Sequence, residues 1–183
     1  MKTKLHTPSL LSLLLLAFLL MASDCDKENL SPLEQLPPAT QTGAFTFGCL
    51  INGEAFLPSG NPLGGPVLSA FYIQSNGTYT MNISGKKGGG ENLERISIGA
   101  LDIEALTEGV YPLVSEASGN LFGKYKLGLD SSYTTDEAPG TLTITHLDTQ
   151  VGIISGTFEF TVTDNEGKQI AITDGRFDML YTN

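Results

Sequence analysis

Apolar and polar side chains alternate one by one through the last part of the chain. Ile154, Phe158, Phe160 and Val162 share one parity, and Thr157, Glu159, Thr161 and Thr163 take the other. A repeat of two is that of a β-strand, whose successive side chains point to opposite faces. The polar run Asp164–Asn165–Glu166–Gly167 predicts a turn, after which the chain returns through Ile170 and Ile172. Gly175 then predicts a bulge that puts Phe177, Met179 and Tyr181 on the inner face.

The same grammar runs forward from Phe45. Short segments rich in Val, Ile, Thr, Tyr and Phe are punctuated by glycine, as strands are by turns. Asn52–Gly53 and Asn76–Gly77 fit two-residue turns whose central positions both need positive φ. They predict one hairpin joining Phe45–Ile51 to Glu54–Leu57 and another joining Val67–Gln74 to Thr78–Ser84. Leu93–Ile103 reads as a strand with Ile96, Ile98 and Ala100 on one face, and Thr141–Leu147 alternates likewise. Leu121, Tyr125, Leu127 and Leu129 share a parity that pushes Lys124 and Lys126 to the other side. Two breaks are expected: a helical turn over Glu104–Glu108 stopped by Gly109, and a flexible loop over Gly85–Gly90. The lysines of that loop precede its glycines, so it is no phosphate cradle. The expected fold is all-β, an antiparallel sandwich or short barrel built of hairpins, forming one domain over residues 44–183.

A different pattern opens the chain. Lys2 and Lys4 lead into an apolar run over residues 10–21, interrupted only by Ser12, and Cys25 follows shortly. The run is shorter than the roughly 20 residues of a spanning helix. It fits the core of a signal peptide over residues 1–24, with Cys25 as the lipid-attachment residue. Asp24 departs from the usual Leu–small–small–Cys pattern, so an ordinary signal cut near Ala22 or Ser23 is the alternative. Residues 25–43 then read as a flexible tether, because Pro32, Pro37 and Pro38 favour extended backbone that does not pack.

Charge and composition narrow the partners. The formal net charge of −10 repels phosphate backbones, which argues against nucleic acid. With Cys25 acylated, Cys49 has no partner and reads as a small buried hydrophobe; with a plain signal, Cys25 could pair with Cys49. His146 is the single histidine beyond the signal, too few for a zinc site, and it reads as structural or exposed.

Two stretches carry a resemblance. One is Leu36–Pro37–Pro38–Ala39–Thr40–Gln41–Thr42–Gly43 running into Phe47–Gly48–Cys49–Leu50–Ile51–Asn52–Gly53. The other is Ile154–Ser155–Gly156–Thr157–Phe158–Glu159–Phe160 with Ile172–Thr173–Asp174–Gly175–Arg176–Phe177–Asp178. Both resemble a family of Bacteroidota lipoproteins known as domain of unknown function 6252. The resemblance implies an exported, lipid-anchored all-β protein and brings no activity, cofactor or catalytic residue with it. Asp26–Lys27–Glu28 is similar to the short signals that follow the lipid cysteine in surface-exposed lipoproteins of that group; a solvated charge cluster is the alternative.

Candidate chemistry is sparse. Asp174, Arg176 and Asp178 project from one strand face, but carboxyls four residues apart stand roughly 13 Å apart along a strand. A glycosidase pair needs about 5 to 9.5 Å, so a surface charge ladder screened by Arg176 is the better reading. Asp164, Asn165 and Glu166 lack the alternating acids of a calcium loop and read as a hairpin turn. No nucleophile elbow occurs, so no catalytic residue, metal ligand or cofactor is assigned. Sugar stacking without tryptophan would need Tyr72, Tyr79, Tyr111, Tyr125 and Tyr133 to cluster outside the core.

The expected role is a non-catalytic binding or accessory module tethered to the outer membrane through Cys25, with display on the cell surface as one arrangement. It would serve an unknown ligand or envelope protein. The alternatives are a secreted or periplasmic location, a carboxylate-dependent hydrolase, and a purely structural envelope component.

Overall fold

The computed structural model describes residues 30–61 and 65–183. The chain divides into two units, residues 1–30 and 31–183. The expected signal peptide, Cys25 and Asp26–Lys27–Glu28 lie outside the described residues.

Eleven strands form the second unit: β1 Thr46–Ile51, β2 Glu54–Phe56, β3 Leu68–Ser75, β4 Thr78–Lys87, β5 Glu94–Ile103, β6 Gly109–Leu113, β7 Leu121–Leu127, β8 Asp130–Tyr133, β9 Gly140–Asp148, β10 Ile153–Thr163 and β11 Gln169–Leu180. They make a six-stranded sheet in the order β2-β1-β11-β10-β9-β6 and a five-stranded sheet in the order β3-β4-β5-β7-β8. Every pair of neighbours is antiparallel. The expected all-β sandwich is the observed fold. Beyond β11 the chain crosses to the other layer, where Thr182 exchanges backbone hydrogen bonds with Ala70 and Tyr72 of β3.

Both asparagine–glycine turns form. Asn52 and Gly53 have φ of 51° and 87°, and Asn76 and Gly77 have 52° and 89°, as the two-residue hairpin requires. The core between the layers is aromatic on one side and partly bare on the other. Phe47, Phe160 and Phe177 of the six-stranded sheet pack around Phe158 with ring centroids 5.3–6.3 Å from its own. The facing sheet receives them at Gly85 and Gly123, where a Cβ would come within 2.7 Å of the Phe47 ring and 2.8 Å of the Phe160 ring. Burying each such ring is worth about 1.5–3 kcal/mol. The glycines are what let the layers close over them.

The bulge in β11 is present and its geometry differs from expectation. Phe158 pairs with Gly175 but Phe160 pairs with Ile172, so β11 carries one extra residue there. The register against β1 slips at the same place. The positive φ belongs to Asp174, at 52°, not to Gly175. Gly175 is needed for space: a Cβ there would stand 2.5 Å from the Phe158 ring. Past the bulge Phe177, Met179 and Tyr181 are buried as expected.

Other expectations are corrected. Residues 104–107 form no helical turn; Tyr72 and Tyr111 hold this stretch by accepting from the backbone N–H groups of Leu106 and Thr107. The loop expected from Gly85 is strand as far as Lys87, with only Gly90–Asn92 adding a 3₁₀ turn, because β5 pairs along nearly all of β4. Leu127 and Leu129 do not line the core: β7 ends at Leu127, and Leu129 is 92% exposed in the turn to β8. The stretch 31–43 is no loose tether. From Leu36 onward it packs on the sheet, with Leu36 buried and the Pro37 ring filling the space above Gly48.

Cys49 is a free, fully buried thiol in β1. Burial, with a smaller contribution from Glu94, pushes it well above its ordinary value, so the reactive thiolate is suppressed. Iodoacetamide should leave Cys49 unmodified in the folded protein and label it fully in urea; rapid labelling without urea would contradict this packing.

Candidate functional site

The chemistry of this chain gathers on the outer face of the six-stranded sheet. Asp178 lies near the end of β11 and is 1% exposed. One oxygen accepts from the Gly43 N–H at 2.8 Å and the Ser155 hydroxyl at 2.7 Å. The other accepts from the Thr40 hydroxyl at 2.6 Å, the Thr42 N–H at 2.9 Å and the Ala44 N–H at 3.1 Å, with the Thr42 hydroxyl at 3.4 Å. Burial alone pushes a carboxyl up. The hydrogen bonds from Thr40, Thr42, Ala44 and Ser155 outweigh it and hold Asp178 well below the usual carboxylate range. Asp178 is therefore a buried anion that straps residues 40–44 onto the sheet.

That geometry corrects the charge-ladder reading. Arg176 does not screen Asp178; its guanidinium donates to the carbonyls of Asp174 and Pro37, at 3.3 and 3.4 Å. The bulge turns Asp174 out of line, and the cage closes Asp178 off from solvent.

Beside the strap the sheet face is hollowed. A trough of about 520 Å³ is lined by Ala39, which leads into the strap, and by Thr141, Thr143, Thr157, Glu159, Asp174 and Arg176. A second hollow of about 370 Å³ shares Thr141 and Glu159 and continues past Ala138 and Pro139 to Thr161 and Thr173. The outward threonines of β9 and β10 thus form a floor of hydroxyls, with both signs of charge along it. Their parity is legible in the sequence; that they floor a trough is not, because the walls come from the strap and the β8–β9 connection.

The remaining sequence candidates fall elsewhere. His146 is half-buried on β9, with Nδ1 3.3 Å from a Glu108 carboxylate oxygen. Asp164 closes the β10–β11 hairpin by accepting from the backbone N–H groups of Glu166 and Lys168, which is turn chemistry. No cluster of metal-ligating side chains occurs among the described residues. The tyrosines build no outer platform: Tyr72 stacks on Tyr79 inside, Tyr125 is buried against Glu94, and Tyr133 lies beneath Lys124. The condition for tyrosine stacking on a sugar, a cluster outside the core, is not met among the described residues.

A family model described as Domain of unknown function (DUF6252) matches residues 69–180, more than half of the chain. The chain belongs to this family. The match covers the second of the two resembling stretches, and Asp178 within it, while the strap residues that cage Asp178 precede the matched region. No curated protein and no solved structure matches this DUF6252 chain.

Proposed function

We propose that this DUF6252 protein is a bacterial outer-membrane lipoprotein, anchored through acyl chains on Cys25, that binds a polar envelope ligand or protein in the trough beside the strap. The basic–apolar–cysteine pattern of residues 1–25 supports the anchor. The trough is the observation that carries the binding role. A concave surface with several hydroxyls and isolated charges is how a scaffold orients a polar partner. Nucleic acid is an unsuitable partner for a chain of net charge −10.

One observation favours the hydrolase alternative: Glu159 and Asp174 both line the trough from adjacent strands. Both are exposed to water, so the trough does not supply the dry surroundings on which a general-acid carboxyl depends.

Two measurements test the reading. Metabolic labelling with palmitate should mark the wild-type chain and not Cys25→Ser; equal labelling would remove the anchor. A photo-crosslinking residue at Thr157, in the trough, should give a discrete adduct in living cells, and one at Lys168, exposed in the β10–β11 turn, should not. Adducts from both or neither would remove the trough as the contact surface.

A further inference from the structure

The outer face of the five-stranded sheet has a charge pattern at odds with so acidic a chain. Strand register aligns two cross-strand rows: Ser69–Ser84–Ser97–Lys124–Tyr133 and Lys86–Arg95–Lys126–Ser131. Their chain neighbours Ile83, Ile96, Ile98 and Tyr125 are buried in the core, so both rows face outward. Neither row contains a carboxylate. Four of the chain's ten lysines and arginines stand here, on neighbouring strands about 5 Å apart.

Like charges placed directly opposite one another weaken a sheet. Lys86, Arg95 and Lys126 are placed so across three successive strands, with Lys124 one step along. The Arg95 Nε–H is buried and has no acceptor among the described residues. Lys86, 5% exposed, is engaged within the fold, which leaves Arg95, Lys124 and Lys126 as the cations of the open surface. Lys124 lies over the Tyr133 ring at 4.7 Å, which fixes its ammonium above the sheet. Cations gathered, oriented and left with an unmet donor are what an anion site requires.

We propose that this face binds an anionic glycan bearing sulfate or phosphate esters. The terminal N–H groups of the Arg95 guanidinium take an ester group, and Lys124 and Lys126 supply the surrounding field. Rows of charge one strand apart suit a series of ester groups along a chain better than one small ion. The negative remainder of the surface confines a polyanion to this patch. The site is separate from the trough and does not depend on it.

The test is titration of the full chain, in nonionic detergent, with a heparin oligosaccharide; an uncharged dextran serves as control. Binding should weaken about tenfold or more between about 50 and 300 mM salt. Arg95→Gln with Lys126→Gln should weaken it at least about tenfold, whereas Lys168→Gln in the β10–β11 turn should leave it unchanged. The double variant loses like-charge neighbours and should melt no lower than wild type. The single change Lys124→Gln, expected to weaken binding about threefold, keeps the test readable if the double variant misfolds. No binding of the oligosaccharide at low salt overturns the proposal. So does equal loss in Lys168→Gln, or binding only to micelles doped with phosphatidylglycerol.

Discussion

Replacing Asp178 with asparagine should lower the stability of the fold by about 3 kcal/mol, because one buried anion collects the hydrogen bonds of a whole segment. The carboxylate accepts from three backbone N–H groups and from the hydroxyls of Thr40, Thr42 and Ser155. An asparagine keeps one acceptor oxygen and turns an NH₂ group toward donors that need an acceptor. The strap over residues 40–44 should then lift, which limited proteolysis will detect as new cleavage there before global unfolding. Urea denaturation measures the loss itself. A change below about 1 kcal/mol would show that the strap is held by the packing of Leu36 and Pro37 rather than by the cage.

The same group makes stability depend on pH. Asp178 titrates well below the usual carboxylate range when folded, and at about 3.9 when the chain is unfolded. Its contribution is therefore complete above about pH 5 and fades as pH falls through about 4 and below. The wild-type midpoint should drop over that interval, and the Asp178→Asn midpoint should fall less.

The second large effect is expected at the bulge. Gly175→Ala should destabilise by about 3 kcal/mol, since overpacking a closed core costs about 1–3 kcal/mol and here the backbone is also in the way. A Cβ at this position meets the Phe158 ring and the Phe158 carbonyl oxygen, both at 2.5 Å. Asp174→Gly is the contrasting change. Asp174 carries the positive φ, so glycine relieves strain there and should leave stability within about 1 kcal/mol of wild type. If Asp174→Gly were the damaging variant and Gly175→Ala neutral, the bulge would be built the other way round.

These two sites show how far local pattern reaches. Alternation in β10 and β11 announces the inner residues, because a half-buried strand must present every second side chain to the core. The asparagine–glycine pairs announce their hairpins, because few other dipeptides accept two successive positive φ angles. Asp178 is legible only as one acid in a row of charges. Its meaning depends on Thr40, Thr42, Gly43 and Ala44, more than a hundred positions away, and no local pattern connects them. Residues 31–43 conceal their packing for the same reason: Pro32 opens a turn over residues 32–35, and the irregular backbone that follows Pro37 and Pro38 is bound to the sheet. The cationic rows on the other sheet are hidden likewise, since Lys86, Arg95 and Lys126 meet only through the pairing of three strands.

The strap also decides how the domain bears mechanical load. Tension drawn on residue 31 first loads Leu36 and Pro37, over Gly48 of β1, and then residues 40–44, from which it passes through Asp178 into β11, flanked by β1 and β10. Force is thus delivered to an interior strand, whose ladders on both sides must shear together, instead of peeling a border strand one hydrogen bond at a time.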